Sequence, residues 1–187
     1  MTAASPGSGR FLFMRHGETL LNHQRRRCGG DVDIPLTEAG EAQAQAAAER
    51  LRPLAGRIDA VIASPLLRTR RTADIVRGAL GDCPLILHEG LIERRLGAWN
   101  GQGIAETQAL FDAGTPPPGG EAEEVFRARI AAALDDILAR GHALPLLVGS
   151  KGVGRVVGLL FGSGAEGPMG NAEIREFAVP RPVTSIT

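Results

Sequence analysis

The 187-residue chain reads as an α/β protein, a three-layer α/β/α sandwich around a mostly parallel sheet with one antiparallel edge strand. Two observations predict this. Short apolar runs of strand length, at 11–14, 58–63, 84–88, 144–148 and about 172–179, alternate with longer segments of helical character. That alternation builds a parallel sheet covered on both faces. Polar residues also gather at strand ends or in the loops beside them: Arg15-His16, Ser64 with Arg68, Glu93, and Ser150-Lys151. An open α/β sheet brings such ends together, and ligands bind in the crevice there.

The length suits one domain, and the reading is a short flexible tail over 1–9 followed by a single domain over 10–187. Lys+Arg and Asp+Glu both number 21, so the formal charge is zero and the chain has the balance of neither a nucleic-acid binder nor a membrane-surface binder. The two cysteines, Cys28 and Cys83, are too few and too far apart for a disulfide scaffold or a zinc site and read as free thiols. The N-terminal residues are small and polar, and no run reaches membrane-spanning length. The expectation is a soluble, cytoplasmic, bacterial-type enzyme.

In chain order, the run 11–14 is a strand that delivers Arg15 and His16 to its C-terminal tip. A guanidinium beside an imidazole suits an anion, and Gly17 allows close backbone approach. A loop rich in Arg, Gly and Asp covers 22–35. Thr37 is the expected N-cap of a helix reaching Leu51, whose Ala, Gln and Glu favour helix. The strand at 58–63 ends at Ser64-Pro65, with Pro65 placed in the first turn of a helix running to about Leu80. Segment 90–103 is a loop that concentrates Glu93, Arg94, Arg95 and the single tryptophan, Trp99. A short helix is expected at 104–111, and the Pro-Pro-Pro-Gly-Gly stretch at 116–120 reads as a stiff turn. From 121 to about 140, Phe126, Ile130, Leu134, Ile137 and Leu138 recur with the helical period. The strand 144–148 opens into Gly149-Ser150-Lys151-Gly152-Val153-Gly154-Arg155, followed by an apolar helical stretch at 156–161. Trp99 reads as a packing residue, Arg25 and Arg27 as solvated loop residues, and His23, His88 and His142 as surface residues.

The motifs, taken together, resemble the histidine phosphatase superfamily, also called the phosphoglycerate mutase-like family. They are Arg15-His16-Gly17-Glu18-Thr19 with Asn22, Pro35-Leu36-Thr37-Glu38-Ala39-Gly40 with Gln43-Ala44, Ser64-Pro65-Leu66-Leu67-Arg68 with Thr72-Ala73, Glu93 with Gly97-Ala98-Trp99-Asn100-Gly101, and Gly119-Gly120-Glu121. The resemblance implies metal-independent phosphatase chemistry through a phosphohistidine, with no cofactor and a small phosphorylated metabolite as partner. It makes His16 the nucleophile, Arg15 and Arg68 the clamp on the phosphoryl oxygens, and Glu93 the group that protonates the leaving oxygen and then activates water. Asn22 and Arg26 fall at its phosphate- or substrate-binding positions.

In one place the sequence departs from that pattern. The family carries a second histidine after its penultimate core strand, and Ser150 stands at that position here. The Ser150 hydroxyl, Lys151 and the N–H groups opening the helix at Gly152 are the available replacements. Leu21 and Cys28 also differ from the residues common in the family. Two further readings stay open: a pseudophosphatase that binds a phosphorylated ligand, and a mutase-type phosphotransferase. The short segment between Gly101 and Glu121 favours hydrolysis. The substrate and the oligomeric state, a homodimer included, are not readable from the sequence.

Overall fold

Three adjacent strands set the frame on which the polar residues converge. The computed structural model describes residues 9–162 and 167–179, and their strands form one sheet in the order β3-β2-β4-β1-β5. At its centre β1 (Arg10–Arg15) runs parallel to β4 (Pro145–Gly149), with Leu12 opposite Leu146 and Arg15 opposite Gly149. β4 also pairs in parallel with β2 (Ala60–Ala63), and β2 with β3 (Leu85–Leu87). β5 (Ile174–Ala178) closes the other edge, antiparallel to β1. The tips of β2, β4 and β1 therefore lie side by side at one end of the sheet.

Successive strand residues point to opposite faces, so each continuous apolar run supplies two cores. Leu12, Met14, Val61, Ala63, Leu146 and Val148 pack against α2 (Glu38–Leu51) and α3 (Leu67–Gly78). Phe11, Phe13, Ala60, Ile62 and Leu147 pack against α5 (Glu123–Ala139) and α6 (Lys151–Phe161). The alanines of α2, among them Ala44 and Ala47 with no exposed surface, let that helix lie close. On the opposite face the bulky Phe126, Ile130, Leu134 and Ile137 of α5 fill the wider gap, each worth roughly 1.5–3 kcal/mol of burial. α1 (Leu20–His23) follows the tip of β1, and α4 (Ile104–Asp112) starts beside the loop after it, joined through the Arg26–Gly103 bridge.

Element boundaries differ from the sequence reading where side chains capture backbone groups. α1 is a single turn that overlaps the start of the expected 22–35 loop, closed by reciprocal Thr19 and Asn22 cap bonds. β2 starts at Ala60 because Asp59 turns its carboxylate to the N–H groups of Ala143 and Leu144, 2.7 and 3.1 Å away. Pro65 lies ahead of α3 rather than in its first turn: Leu66 is an extended N-cap, and the Leu67 N–H is capped by Asp33 at 2.7 Å. The glycine-rich stretch after β4 is helical from Lys151 onward. The N-terminal tail falls outside the described residues for 1–8. Gly9 is not part of it, since its carbonyl accepts the Val179 N–H at 2.7 Å.

Candidate active site

His16 leaves the sheet one residue beyond β1, where its N–H still donates to the Gly149 carbonyl of β4 at 2.9 Å. That anchor buries the imidazole, 3% exposed, with Nδ1 lying 2.6 Å from the Gly17 carbonyl. A carbonyl only accepts, so Nδ1 carries the hydrogen and Nε2 presents its lone pair. Burial above all, then the charges of Arg68 and Arg15, hold the His16 pKa well below the ordinary 6.5, and the Gly17 bond only partly opposes them. The ring is the neutral, nucleophilic form at neutral pH.

Gly17 is required by close packing, because a Cβ there would overlap the Gly40 carbonyl of α2. Its N–H donates to Thr72 Oγ1 at 3.1 Å, and that hydroxyl in turn donates to the Arg68 carbonyl at 2.7 Å. The nucleophile loop and α3 are thus joined directly beneath the arginine.

Two guanidinium groups flank the imidazole. Arg15 donates from Nη1 to the Met169 carbonyl at 2.8 Å. Arg68, 1% exposed, donates to the carbonyls of Val32 and Gly29 at 2.8 and 3.1 Å. The Nε of each arginine is buried and without a partner among the described residues. Buried N–H groups normally find acceptors, so two unsatisfied cationic donors beside a neutral nucleophile describe a cradle for a phosphoryl-sized anion. Burial lowers the Arg15 pKa, with Glu93 and Glu173 acting the other way.

Glu93 reaches the same place from the loop after β3. It is 8% exposed, and its two oxygens accept the N–H groups of Arg94 and Gly152 at 2.7 and 2.8 Å. Gly152 is the second residue of α6, and a Cβ on it would come within 2.9 Å of Oε2 and closer still to Oε1. The helix N-terminus therefore sets where this carboxyl sits. Asp31 steadies the loop that carries it, accepting the N–H groups of Leu96 and Gly97 and the Asn100 amide.

The remaining sequence candidates divide. Ser150 stands at the N-cap position of α6 but its side chain makes no capping bond, and its Oγ is buried and unpartnered among the described residues. Lys151 is exposed on the rim. Asn22 lies behind the nucleophile, bonded to Asn171, whose amide also donates to the His16 carbonyl at 3.2 Å. Arg26 is exposed and donates to the Gly101 carbonyl at 2.5 Å, which holds it on the outer loop. Ser64 shares a 2.6 Å bond with Thr69 Oγ1 at the start of α3, so its hydroxyl is spent on the helix.

Several residues depart from the sequence reading. Arg27 is half-buried: it donates to Thr107 Oγ1 at 2.8 Å and to Gln108 at 3.1 Å, and lies 4.6 Å from the centre of the Phe111 ring. His88 and His142 are mostly covered, facing Asp136 and Asp59. Met169 and Asn171, which hold Arg15 and the His16 carbonyl, come from the irregular stretch before β5, where neither period nor motif marks them. Cys28 is half-buried near Arg68 and Glu93, and burial pushes its thiol pKa up. Trp99, as expected, is a packing residue, 4% exposed. Among the described residues no three His, Cys, Asp or Glu side chains are grouped to hold a metal ion, and no helix is long and apolar enough to cross a membrane.

The sequence model of the histidine phosphatase superfamily (branch 1) matches residues 11–174. The chain belongs to this superfamily. Curated histidine phosphatase relatives include a probable phosphoglycerate mutase GpmB from Erwinia tasmaniensis, 40% identical over an alignment of 147 residues, which covers 72% of this chain and 66% of that protein. A bifunctional protein of Mycobacterium tuberculosis is 34% identical over 79% of this chain and 42% of its own length. The chain thus spans just under two thirds of the Erwinia relative. Among solved structures, a mycobacterial glucosyl-3-phosphoglycerate phosphatase in complex with VO3 superposes with a TM-score of 0.77 at 27% identity, covering 89% of this chain and 90% of that one. A phosphoglycerate mutase from Bacillus anthracis shares the fold at a TM-score of 0.77 and 21% identity, over 89% of this chain and 86% of its own.

Proposed function

We propose that the protein hydrolyses a small phosphomonoester through a phosphohistidine on His16. The observation that carries this reading is the pinned tautomer: Nδ1 bonded to the Gly17 carbonyl leaves Nε2 free beside two arginines whose Nε groups lack partners. In the first step Nε2 attacks phosphorus, the bond from phosphorus to the ester oxygen breaks, and the departing oxygen keeps the electron pair and takes a proton from Glu93. In the second, Glu93 removes a proton from water, the water oxygen bonds to phosphorus, and the P–N bond breaks with its electrons returning to Nε2. Inorganic phosphate leaves and the enzyme is restored. Arg15 and Arg68 hold the non-bridging oxygens throughout, which is most of what phosphoryl transfer asks of a protein.

Nothing in this scheme requires a metal, and EDTA should leave turnover unchanged. The free thiols Cys28 and Cys83 suit a reducing, cytoplasmic setting. Ser150 in place of a histidine removes one stabilising group, a loss of roughly 10²–10³ in rate against accelerations that reach ~10²¹ for phosphomonoester hydrolysis. A weakened catalyst is still a catalyst.

A mutase is the second reading, favoured by the names of the curated relatives. The test incubates the protein with p-nitrophenyl phosphate and a panel of phosphorylated metabolites. Hydrolysis predicts one phosphate released per substrate consumed, and an acid-labile, base-stable phosphoprotein absent from His16→Ala. Isomerised substrate without phosphate release would establish the mutase. Phosphate binding with neither turnover nor phosphoprotein would make the chain a pseudophosphatase.

A further inference from the structure

The chemistry at His16 leaves the Gly119-Gly120-Glu121 motif without a task, yet the fold lays it against the segment that carries Glu93. The Glu121 N–H donates to the Arg95 carbonyl and the Ala98 N–H to the Pro118 carbonyl, each at 2.9 Å, so 118–121 and 95–98 run side by side. Only glycine fits at the contact: a Cβ on Gly97 would overlap the Pro118 carbonyl, and one on Gly120 would come within 2.7 Å of the Arg95 carbonyl. Close approach delivers Glu121 to the side of the Glu93 segment, with its carboxylate 8% exposed.

There it meets Arg129, from the second turn of α5. Arg129 donates from Nε and Nη2 to the two Glu121 oxygens at 2.9 and 2.7 Å, and a fork-to-fork pair of this kind fixes the guanidinium plane. The rest of the fork is turned on the catalytic segment. Nη1 donates to the carbonyls of Gly90 and Ile92 at 3.0 and 2.8 Å, and Nη2 lies 3.5 Å from the Glu93 carbonyl. Three carbonyls of the Glu93 segment thus converge on one side chain. Glu93 is held from both ends: its carboxyl by the Gly152 N–H of α6, its backbone by Arg129 of α5. The two helices share one apolar core through Ile130, Leu134, Val153 and Val157, so packed helices rather than the loop itself set where the carboxyl stands. Proton transfer demands hydrogen-bond reach, and small misplacements of a reacting group are costly.

We infer that Arg129, oriented by Glu121, is a positioning residue for the general acid, fixing the backbone around Glu93 and with it the approach of the carboxyl to the departing ester oxygen. This rests on the proposed phosphatase reading and deepens it. Neither Arg129 nor Glu121 touches the substrate or exchanges a proton with it.

The test exploits the leaving group. 2,4-Dinitrophenolate departs as a stable anion, whereas the far more basic phenolate is helped by a proton as it leaves. The quantity read is kcat/KM for phenyl phosphate divided by kcat/KM for 2,4-dinitrophenyl phosphate. Glu93→Gln should lower this ratio by roughly 10²-fold or more, and Arg129→Lys and Glu121→Gln should each lower it by about tenfold, part of the same effect. A lysine keeps the charge beside Glu121, but its compact ammonium cannot bridge a carboxylate and two carbonyls in one plane. The double variant should fall no further than the more damaged single one, because fork and carboxylate act as one unit. A general loosening of the fold slows both esters alike and cancels in the ratio. A ratio unchanged in both single variants, with the fall in Glu93→Gln intact, overturns the positioning role and leaves the phosphatase standing. Losses that add in the double variant overturn the orienting role of Glu121. An unchanged ratio in Glu93→Gln itself, or failure of the wild type to form phosphohistidine from either ester, overturns the proposed function instead.

Discussion

Replacing Gly152 by alanine separates chemistry from folding at this site. The added Cβ would sit 2.9 Å from Glu93 Oε2 and closer to Oε1, inside any tolerable contact. The carboxyl is the end of a flexible side chain, so it moves away rather than displacing backbone, and its bond from the Gly152 N–H, 2.8 Å in the native protein, is lost. A hydrogen bond to a charged group contributes about 1.5–3 kcal/mol, so its loss alone predicts a fall in kcat/KM of roughly 10–100-fold. The upper bound is the whole contribution of a general acid, about 10²–10⁴, which Glu93→Gln would reveal. Stability moves much less. Alanine is favoured over glycine in a helix by about 1 kcal/mol, which offsets part of the ~1–3 kcal/mol cost of leaving the Gly152 N–H unsatisfied. At ~2–4 °C per kcal/mol for a chain of this size, Tm should fall by no more than a few degrees. Turnover of p-nitrophenyl phosphate and a thermal melt on the same preparation make the comparison. Undiminished kcat/KM in a folded Gly152→Ala protein would refute the role given to Glu93 and its helix anchor.

Other perturbations test the cradle from different sides. Above about pH 6.5 His16 is neutral both folded and unfolded; below it the unfolded ring binds a proton that the folded ring, with its depressed pKa, refuses. Stability is therefore lost as pH falls from about 6.5 toward the folded pKa, by up to ~1.4 kcal/mol per pH unit, and the Tm of His16→Gln should fall less than that of wild type between pH 7.5 and 5.5. Arg68→Met strands the carbonyls of Gly29 and Val32, each at a cost of ~1–3 kcal/mol. Tm should drop by several degrees, and inorganic phosphate should no longer protect the protein against heat. Thr72→Val keeps the side-chain shape but removes the acceptor for the Gly17 N–H. Slower phosphoenzyme formation with a loss of about 1–3 kcal/mol is expected, and rapid-quench labelling checks it.

Much of the site was legible because its residues sit at strand tips. The continuous apolar runs at 11–14 and 144–148 placed His16 and Ser150 at neighbouring ends once a parallel sheet was assumed, and β1 does pair with β4 through Arg15 and Gly149. Glu93 was legible through its motif rather than through its surroundings, since Arg94 and Arg95 stand beside it in the chain and offer nearer partners than any ligand. In the fold Arg94 instead pairs with Glu123, and Glu93 turns inward to α6. Arg27 was misread as solvated because its partners, Thr107, Gln108 and Phe111, lie about 80 residues away, beyond any local pattern. Met169 and Asn171 were invisible for the same reason.

The sequence by itself determined the sheet, the helices that cover it, and the histidine, arginines and glutamate that carry the proposed chemistry, because apolar runs and helical periods are local properties and the strand order brings their ends together. Only the tertiary structure decided which nitrogen of His16 is free, which guanidinium N–H groups lack partners among the described residues, and that the Gly152 N–H at the start of α6 holds Glu93. Those depend on contacts between segments distant in the chain, where a backbone carbonyl or a helix N-terminus, carrying no side-chain signature, sets the position and charge of the reacting group.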